Sequence, residues 1–335
     1  MLSTRFTDLV GCEVPIQLAP LGGGIGTLEL AEAVAGVGGH AMLGLTSLPA
    51  PVVEQLIEAV EQRAIRAYGV NLLVPFLDHE VLELVASRVP VVDFYLGMPA
   101  PELVDVVHAG GALVQWQVCS REEAVAAQAA GCDLIVAHGV EAGGRNPGGI
   151  GLIPLLEQVL PAVSVPVIAA GGIATGRGIA AVLSMGAAGA RLGTRFVAAT
   201  ESGAHADYVA AVVAAGSEDA VHTSVFDAAW PAPEVAGSRA LRGSAESAEA
   251  ATEEVIGELA LPDGRRAPIA RFAPSPPSTA ASGLVAAMPM YAGQSVGSVT
   301  RVQPAAEIVS ELAAEAEAAL GAAGALMDGG AVRAS

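Results

Sequence analysis

The 335-residue chain has few cysteines, few positive charges and no long uninterrupted apolar run. Its three cysteines, Cys12, Cys119 and Cys132, form no CxxC pair, so no disulfide framework is expected and we interpret them as structural thiols. Sixteen Lys and Arg stand against 35 Asp and Glu, and the formal charge of −19 disfavours nucleic acid and anionic membranes as partners. Residues 159–174 are among the most apolar, but prolines and a glycine pair interrupt them, so no membrane-spanning helix is predicted.

Motifs of several other protein classes are also absent. Residues 1–15 lack the apolar core of a secretory signal, which predicts a cytoplasmic protein. Residues 22–26 read GGGIG, without the GxGxxG spacing of dinucleotide-binding folds. No spacing of His, Cys or carboxylates is typical of a zinc site or an iron facial triad, so no metal is predicted. Residues 293–297, GQSVG, fit the GxSxG pattern of a hydrolase elbow but follow no clear strand, which makes a hydrolase a minor alternative.

A repeated unit organises the chain, in which an Ala-rich helix runs into a glycine and then into a short apolar strand. Each glycine stands where a helix C-cap favours a left-handed residue, and each strand is apolar on both faces, as in a parallel sheet. The alternation predicts an α/β protein of the (β/α)8 TIM-barrel class, with an open doubly wound sheet as the alternative. The predicted strands are residues 16–19, 41–43, 69–72, 91–95, 113–118, 134–137, 167–169 and 190–192.

The regular pattern changes after residue 200. Residues 201–299 include a stretch rich in Pro, Ser, Ala and Glu, and we interpret them as an insertion that caps the C-terminal mouth of the barrel. Residues 1–200 and 300–320 then form the barrel, and residues 304–320 its closing helix. The closing helix has one apolar face, with Ile308, Val309, Leu312 and Leu320. Residues 321–335 are predicted to be a frayed tail.

Two glycine-bearing strand ends stand where barrels commonly bind phosphate. Gly171 and Gly172 follow the seventh predicted strand, and Gly193 and Thr194 follow the eighth. Glycines let backbone N–H groups approach an anion closely, which explains how an acidic protein could hold a phosphate. The alternative is that these glycines only shape tight turns.

A third segment, residues 137–145, reads AHGVEAGGR after the sixth strand. Here the chain resembles the nitronate monooxygenase (2-nitropropane dioxygenase) family, whose segment typically ends in Glu-Ala-Gly-Gly-His. The resemblance covers most of the chain. It extends to QLAPLGG at 17–23, GVNLL at 69–73, AAGGIA at 169–174, GRG at 176–178, LGTRF at 192–196, FDAAWP at 226–231 and YAGQSVG at 291–297.

The resemblance implies a (β/α)8 barrel that binds flavin mononucleotide (FMN), with the flavin ring against the end of the first strand and the phosphate at the two glycine-bearing strand ends. Gln117 would lie near the polar edge of the flavin, although it could also be a hydrogen-bonded core amide. The implied cofactor-binding residues are Ala19, Pro20, Leu21, Asn71, Gln117, Gly143, Gly144, Gly171, Gly172, Gly193, Thr194, Gln294 and Ser295. The implied substrate residues are Gly22, Gly23 and Tyr291, of which Tyr291 caps the pocket.

The chain departs from the family at Arg145, where relatives generally carry the histidine that serves as catalytic base. An arginine stays protonated and cannot act as an ordinary base, but it can bind an anion. Three interpretations stay open: an anchor for a preformed nitronate, a changed FMN chemistry, or a loss of activity. Arg145 could also point to solvent. His138, which ends the sixth strand, is the second catalytic candidate.

These features predict an FMN-dependent oxidoreductase that oxidises a small anionic, nitronate-like substrate with O2, and a homo-oligomer is left open. An FMN-dependent enoyl reductase is the alternative, because similar barrels share the Glu-Ala-Gly-Gly segment. A non-redox phosphate-binding barrel and a catalytically silent binding protein are the remaining hypotheses.

Overall fold

The computed structural model describes residues 2–228, 230, 232, 235–261 and 264–327. The strands are β1 (Ile16–Leu18), β2 (Ala41–Gly44), β3 (Tyr68–Leu73), β4 (Val91–Tyr95), β5 (Leu113–Val118), β6 (Leu134–His138), β7 (Gly144–Arg145), β8 (Val167–Ala170), β9 (Gly189–Leu192), β10 (Ala220–Thr223), β11 (Ser238–Leu241), β12 (Val255–Ala260), β13 (Arg266–Ala270) and β14 (Ala281–Gly283). The α-helices are α1 (Arg5–Val10), α2 (Leu28–Ala35), α3 (Ala50–Gln62), α4 (His79–Arg88), α5 (Pro101–Gly110), α6 (Arg121–Ala130), α7 (Leu152–Val159), α8 (Gly176–Ser184), α9 (Thr194–Val197), α10 (Ala206–Ala214), α11 (Arg242–Ala250) and α12 (Ala305–Met327). Single 3-10 turns span Val74–Phe76, Ser217–Asp219, Val225–Asp227, Val285–Ala287 and Gln294–Ser298.

Eight parallel strands form the central sheet in the order β1-β9-β8-β6-β5-β4-β3-β2. The two ends of this order meet, because the Leu18 N–H donates to the His40 carbonyl at 2.8 Å and the His40 N–H donates to the Ile16 carbonyl at 2.9 Å. The sheet is therefore a (β/α)8 barrel, as the sequence predicts, and the open-sheet alternative is wrong. All eight predicted strands are present.

The helices surround the barrel with their apolar faces turned inward. In α3, for example, Val53, Ile57 and Val60 recur at helical spacing and are buried. Gly111 and Gly131 end α5 and α6 in the left-handed conformation, with φ of 97° and 98°, as the repeated unit predicts.

One end of the barrel is closed by α1. Its Phe6 is completely buried and packs with residues at the start of several strands, and the Thr4 hydroxyl donates to the Ala188 carbonyl at 2.6 Å. Because the amino-terminal end is filled in this way, a functional site is expected at the carboxyl ends of the strands.

Residues of the predicted insertion build two small antiparallel sheets outside the barrel sheet, in the orders β10-β11-β7 and β13-β12-β14. The first of them includes β7, which belongs to the loop after β6. This loop is therefore tied to the inserted segment by strand pairing, with Arg145 opposite Ser238.

The closing helix α12 packs against α8 and α2. It continues to Met327, seven residues beyond the predicted end at 320, so the expectation of a frayed tail is wrong for residues 321–327. Three of these seven residues are alanine, which favours a helix without needing a buried face, although two others are glycine. Residues 328–335, together with Ala229 and Pro231 of the FDAAWP motif, lie outside the described residues.

Within the described ranges, no helix is both long and apolar enough to cross a lipid bilayer. Their His, Cys and acidic side chains also form no group of three or more that could hold a metal ion.

Candidate active site

The loops after β6, β8 and β9 meet the segment before residue 295 at the carboxyl ends of the strands. The Gly293 N–H donates to the Thr194 hydroxyl at 2.9 Å, and the Gln294 N–H donates to the Glu141 carbonyl at 2.9 Å. Gly143 lies so close to this segment that a Cβ there would come within 2.6 Å of the Gly293 nitrogen. Residues far apart in the sequence are thus joined into one continuous backbone surface.

The turn after β8 presents unpaired backbone donors. Gly171 and Gly172 are both left-handed, with φ of 107° and 70°. In the part of the chain that the structure describes, the N–H groups of Gly171, Gly172, Ile173 and Ala174 form no hydrogen bond. Consecutive free N–H groups of this kind form a concave anion site, here called the N–H cluster.

The N–H cluster adjoins the backbone surface described above. A Cβ on Gly171 would lie 3.0 Å from both the Cβ and the nitrogen of Ala142, which immediately precedes Gly143. The neighbouring carboxylate of Glu141 is engaged at the start of α7, where both of its oxygens accept the Leu152 N–H, at 3.0 and 2.9 Å. The turn after β8 and the segment 141–143 therefore lie side by side.

The end of β1 borders the same region. The Ala19 N–H donates to the Leu192 carbonyl at 2.8 Å, and a Cβ on Gly193 would lie 3.3 Å from the Ala19 Cβ. Ala19, Pro20 and Leu21 are half-buried, whereas Gly22 and Gly23 are exposed.

The residues predicted in the C-terminal segment differ in exposure. Gln294 is exposed and Ser295 half-buried. The Tyr291 hydroxyl donates to the Pro274 carbonyl at 3.1 Å, and burial raises the pKa of Tyr291 to about 12. Tyr291 is therefore a neutral phenol whose proton is already used inside the protein.

A buried ion pair lies inside the barrel. Asp93 on β4 and Arg191 on β9 have side chains 0% and 2% exposed, and Arg191 Nη2 lies 3.1 Å from Asp93 Oδ1. Asn71 and Gln115 donate to the same carboxylate at 2.7 and 2.8 Å. Side chains from three other strands thus point at the Asp93 carboxylate, and each of its oxygens is satisfied.

Arg191 connects this ion pair to His138. Its Nη1 donates to Gln117 Oε1 at 2.8 Å, and Gln117 Nε2 lies 3.0 Å from His138 Nδ1. The Tyr95 hydroxyl also lies 2.8 Å from His138 Nδ1. Burial, with a smaller contribution from the Arg191 charge, lowers the pKa of His138 to about 3. His138 is therefore neutral at physiological pH.

Arg145 is held in place by three groups. Its guanidinium forms an ion pair with Asp227, donates to the Phe226 carbonyl at 2.7 Å and stacks 3.9 Å from the centre of the Trp230 ring. The Arg145 side chain is only 8% exposed, so the interpretation that it points to solvent is wrong. Its charge is already compensated by Asp227, whose other oxygen accepts the Gly237 N–H at 2.8 Å.

Four of the other histidines serve other contacts. His40 is completely buried, and its Nδ1 lies 3.2 Å from Gln17 Nε2. His108 pairs with Asp133 at 2.8 Å on the surface. His205 caps α10, and His222 Nε2 lies 3.1 Å from the Asn146 carbonyl.

Sequence reasoning missed Gln17, Tyr95, Asp93, Arg191 and Asp227. The first four share one signal: each is a polar or hydroxyl-bearing residue in a short strand that is otherwise largely apolar and buried on both faces. Such a residue has to find a polar partner across the barrel. Asp227 stands in the FDAAWP motif, but nothing in its spacing connects it with Arg145.

The fold and the site define an enzyme of the (β/α)8-barrel class, whose loops at the carboxyl ends of the strands carry the functional groups. The model of the nitronate monooxygenase family matches residues 76–315, and the chain belongs to this family. It is accordingly a flavin-dependent oxidoreductase.

Individual relatives agree with this assignment. The nitronate monooxygenase of Pseudomonas aeruginosa is 32% identical over 255 residues, which are 62% of this chain and 72% of that protein. FabK from Thermotoga maritima has a TM-score of 0.79 at 26% identity and covers 97% of this chain and 100% of its own. The nitroalkane oxidase from Streptomyces ansochromogenes has a TM-score of 0.76 at 28% identity, with 95% and 99% covered.

Proposed function

We propose that this protein is an FMN-dependent oxidoreductase that oxidises a small anionic, nitronate-like substrate with O2. The observation that carries the proposal is the N–H cluster at Gly171–Ala174, adjacent to Gly143, Thr194 and Gly293. A chain with a formal charge of −19 repels anions at long range, so a phosphate needs local backbone donors of this kind.

The residues around the N–H cluster fit FMN. Phosphate would be held by the backbone of Gly171, Gly172, Gly193 and Thr194, and the ring would lie against Ala19–Leu21 with Asn71 and Gln117 beside it. Gly143, Gly144, Gln294 and Ser295 complete the proposed cofactor contacts. When bound, FMN supplies the redox chemistry by taking electrons from the substrate and passing them to oxygen.

The proposed substrate is already an anion because the site offers no suitable base. Arg145 is paired with Asp227 and cannot accept a proton. His138, with a pKa of about 3, is too weak a base to deprotonate a neutral nitroalkane at a useful rate near pH 7. We infer that Arg145 shapes the pocket wall together with Trp230, and that Gly22, Gly23 and Tyr291 border the substrate.

A direct test uses the purified protein and its flavin content. We expect a yellow protein that releases FMN on denaturation and consumes oxygen with propyl-2-nitronate but not with neutral 2-nitropropane. Equal rates on both substrates would show that a base is present and would contradict the inference about the substrate. A colourless protein that does not take up FMN would contradict the cofactor assignment.

The same preparation tests the alternative of an enoyl reductase. This alternative stays open because similar barrels share the Glu-Ala-Gly-Gly segment. Rapid NAD(P)H oxidation with an enoyl thioester, and none of the nitronate-dependent oxygen consumption, would favour it. A homo-oligomer and a cytoplasmic location stay predictions from the sequence.

A further inference from the structure

Arg191 is held rigidly inside the barrel by neighbours on three other strands. Nε donates to Gln17 Oε1 at 2.7 Å, Nη1 to Gln117 Oε1 at 2.8 Å, and both terminal nitrogens contact the Asp93 carboxylate at 3.1 Å. The residue is 3% exposed, so water does not replace these contacts. A guanidinium carries only donors, so every group it touches here has to present an acceptor.

This requirement fixes the amide of Gln117. Its oxygen has to face Arg191, because a flipped amide would bring N–H groups against the guanidinium N–H groups. The Gln117 nitrogen then faces His138 Nδ1 at 3.0 Å as a donor. His138 Nδ1 has to accept, so its ring proton resides on Nε2.

We propose that Arg191 and Gln117 are positioning residues that hold His138 as a neutral imidazole with its proton on Nε2, so that His138 donates a hydrogen bond to an anionic oxygen of the bound substrate. The part concerning the ligand rests on the proposed function, whereas the position of the proton does not. His138 is the last residue of β6, at the carboxyl end where the substrate would bind, and no described residue bonds its Nε2.

The groups packed around His138 all favour this state. Arg191 on β9 disfavours a second positive charge, and its own charge is paired with Asp93. The Tyr95 hydroxyl on β4 lies 2.8 Å from Nδ1 and 3.0 Å from the Arg145 carbonyl, and its single proton can serve only one of these two acceptors. Because the Gln117 N–H already requires Nδ1 to accept, we place the Tyr95 proton on the contact with Nδ1. Cys119 lies 3.8 Å from the Tyr95 hydroxyl, and burial raises the pKa of its thiol to about 12, so it stays neutral.

His40 provides an internal reference for this arrangement. Arg191 donates to Gln17 in the same way, and Gln17 Nε2 lies 3.2 Å from His40 Nδ1. His40 Nε2 is buried and has no partner among the described residues, whereas His138 ends its strand at the mouth. Both rings should carry the proton on Nε2, but only His138 should donate a hydrogen bond from Nε2 to a ligand.

The position of the proton is tested by nitrogen NMR of the full chain with ¹⁵N-labelled histidine, with the His138 signals assigned from the His138→Gln variant. We expect the Nε2-protonated form from pH 5 to 8. Gln117→Glu should replace the donor by an acceptor and move the proton to Nδ1 or protonate both nitrogens. Tyr95→Phe is the matched control, because it removes the other Nδ1 contact and should leave the proton on Nε2.

An unchanged His138 signal in Gln117→Glu, or a change in Tyr95→Phe alone, would overturn the role of Gln117. Gln117→Met serves if the charged variant does not fold. This variant removes the donor without adding charge. A measurable fraction of the His138 rings should then carry the proton on Nδ1. Retention of the Nε2 form alone would again contradict the proposal.

The donor role is tested by steady-state kinetics of the FMN-loaded enzyme with propyl-2-nitronate. His138→Gln keeps an N–H donor and should keep kcat/KM within a few fold, whereas His138→Phe should lower it at least about tenfold. Equal losses in both variants would exclude a donor role. If the wild-type protein oxidises no nitronate, the proposed function fails, while the NMR measurement still decides where the proton resides.

Discussion

The buried pair of Asp93 and Arg191 is the feature whose single-residue variants should cost the most stability. Asp93→Asn leaves the guanidinium of Arg191 without its counter-charge. The Arg191 side chain is only 2% exposed, so water cannot compensate for the loss. Breaking a buried pair on one side typically costs about 3–5 kcal/mol, because an uncompensated charge stays in the interior. We expect a loss of that size in the free energy of unfolding, measured by urea denaturation.

Glu61→Gln is the control for Asp93→Asn. Glu61 pairs with Arg88 at 2.9 Å, but the two side chains are 48% and 31% exposed, so water screens the pair and stability should hardly change. If both variants lose a similar amount of unfolding free energy, burial of the Asp93–Arg191 pair does not explain the loss in Asp93→Asn.

His138 makes stability depend on pH in a defined window. The pKa of His138 is about 3 in the folded protein and 6.5 in the unfolded chain. As pH falls, the unfolded chain therefore binds the proton first. Stability from this residue is complete above pH 6.5 and is lost as pH falls towards 3, by about 2 kcal/mol at pH 5. His138→Gln should therefore reduce the destabilisation between pH 7 and pH 5, measured by urea denaturation at both values. An identical pH dependence in the variant would contradict the lowered pKa.

At the scale of elements, the turn after β8 should tolerate a side chain badly. Gly171→Ala places a Cβ at φ of 107° and 3.0 Å from Ala142, which should twist the N–H cluster. We expect a loss of about 1–2 kcal/mol from the left-handed conformation and at least tenfold weaker FMN binding in a fluorescence titration.

Gly111→Ala separates these two effects. Gly111 has a similar φ of 97° at the end of α5, but a Cβ there would meet nothing within 4 Å. This variant should lose comparable stability and keep its FMN affinity. If the two variants bind FMN equally well, the N–H cluster is not the phosphate site.

The helices and strands were largely predictable, because each buried strand is an apolar run that follows a helix ending at a glycine. The strand β4, for example, has the predicted bounds Val91–Tyr95. The two-residue strand β7 was not predictable, since its pairing with β11 depends on residues nearly a hundred positions away. Likewise, the position of Arg145 depends on Asp227, and sequence spacing does not encode that contact.

The candidate site was predictable only where glycine patterns mark backbone geometry. Gly171, Gly172, Gly193 and Thr194 are brought to one side of the barrel mouth, as the two glycine-bearing strand ends suggest. The network around Arg191 was not predicted, because a single arginine in a short apolar strand does not show which side chains meet it after closure. Closing the barrel brings Gln17 and Arg191 together, although they stand at opposite ends of the strand sequence.

At the scale of the whole molecule, α12 connects the end of the fold to the candidate site. Glu315 on α12 accepts the Gly176 N–H at 3.0 Å, at the start of α8 and directly after the turn that carries the N–H cluster. A Cβ on Gly176 would lie 2.6 Å from the Ala316 nitrogen, so the two helices are in close contact. Loss of α12 should therefore disturb the cofactor site as well as the core.

Deleting residues 305–335 should prevent folding. Ile308, Val309, Leu312 and Ala316 are buried against the barrel helices, and each large apolar side chain contributes about 1.5–3 kcal/mol when buried. Their sum is comparable with the total stability of an ordinary domain, about 5–15 kcal/mol. Deleting only residues 321–335 is the matched control, because residues 321–326 are exposed, and this variant should stay soluble and bind FMN. Soluble yield and thermal unfolding followed by circular dichroism compare the two, and a folded protein without residues 305–335 would show that α12 does not hold the barrel together.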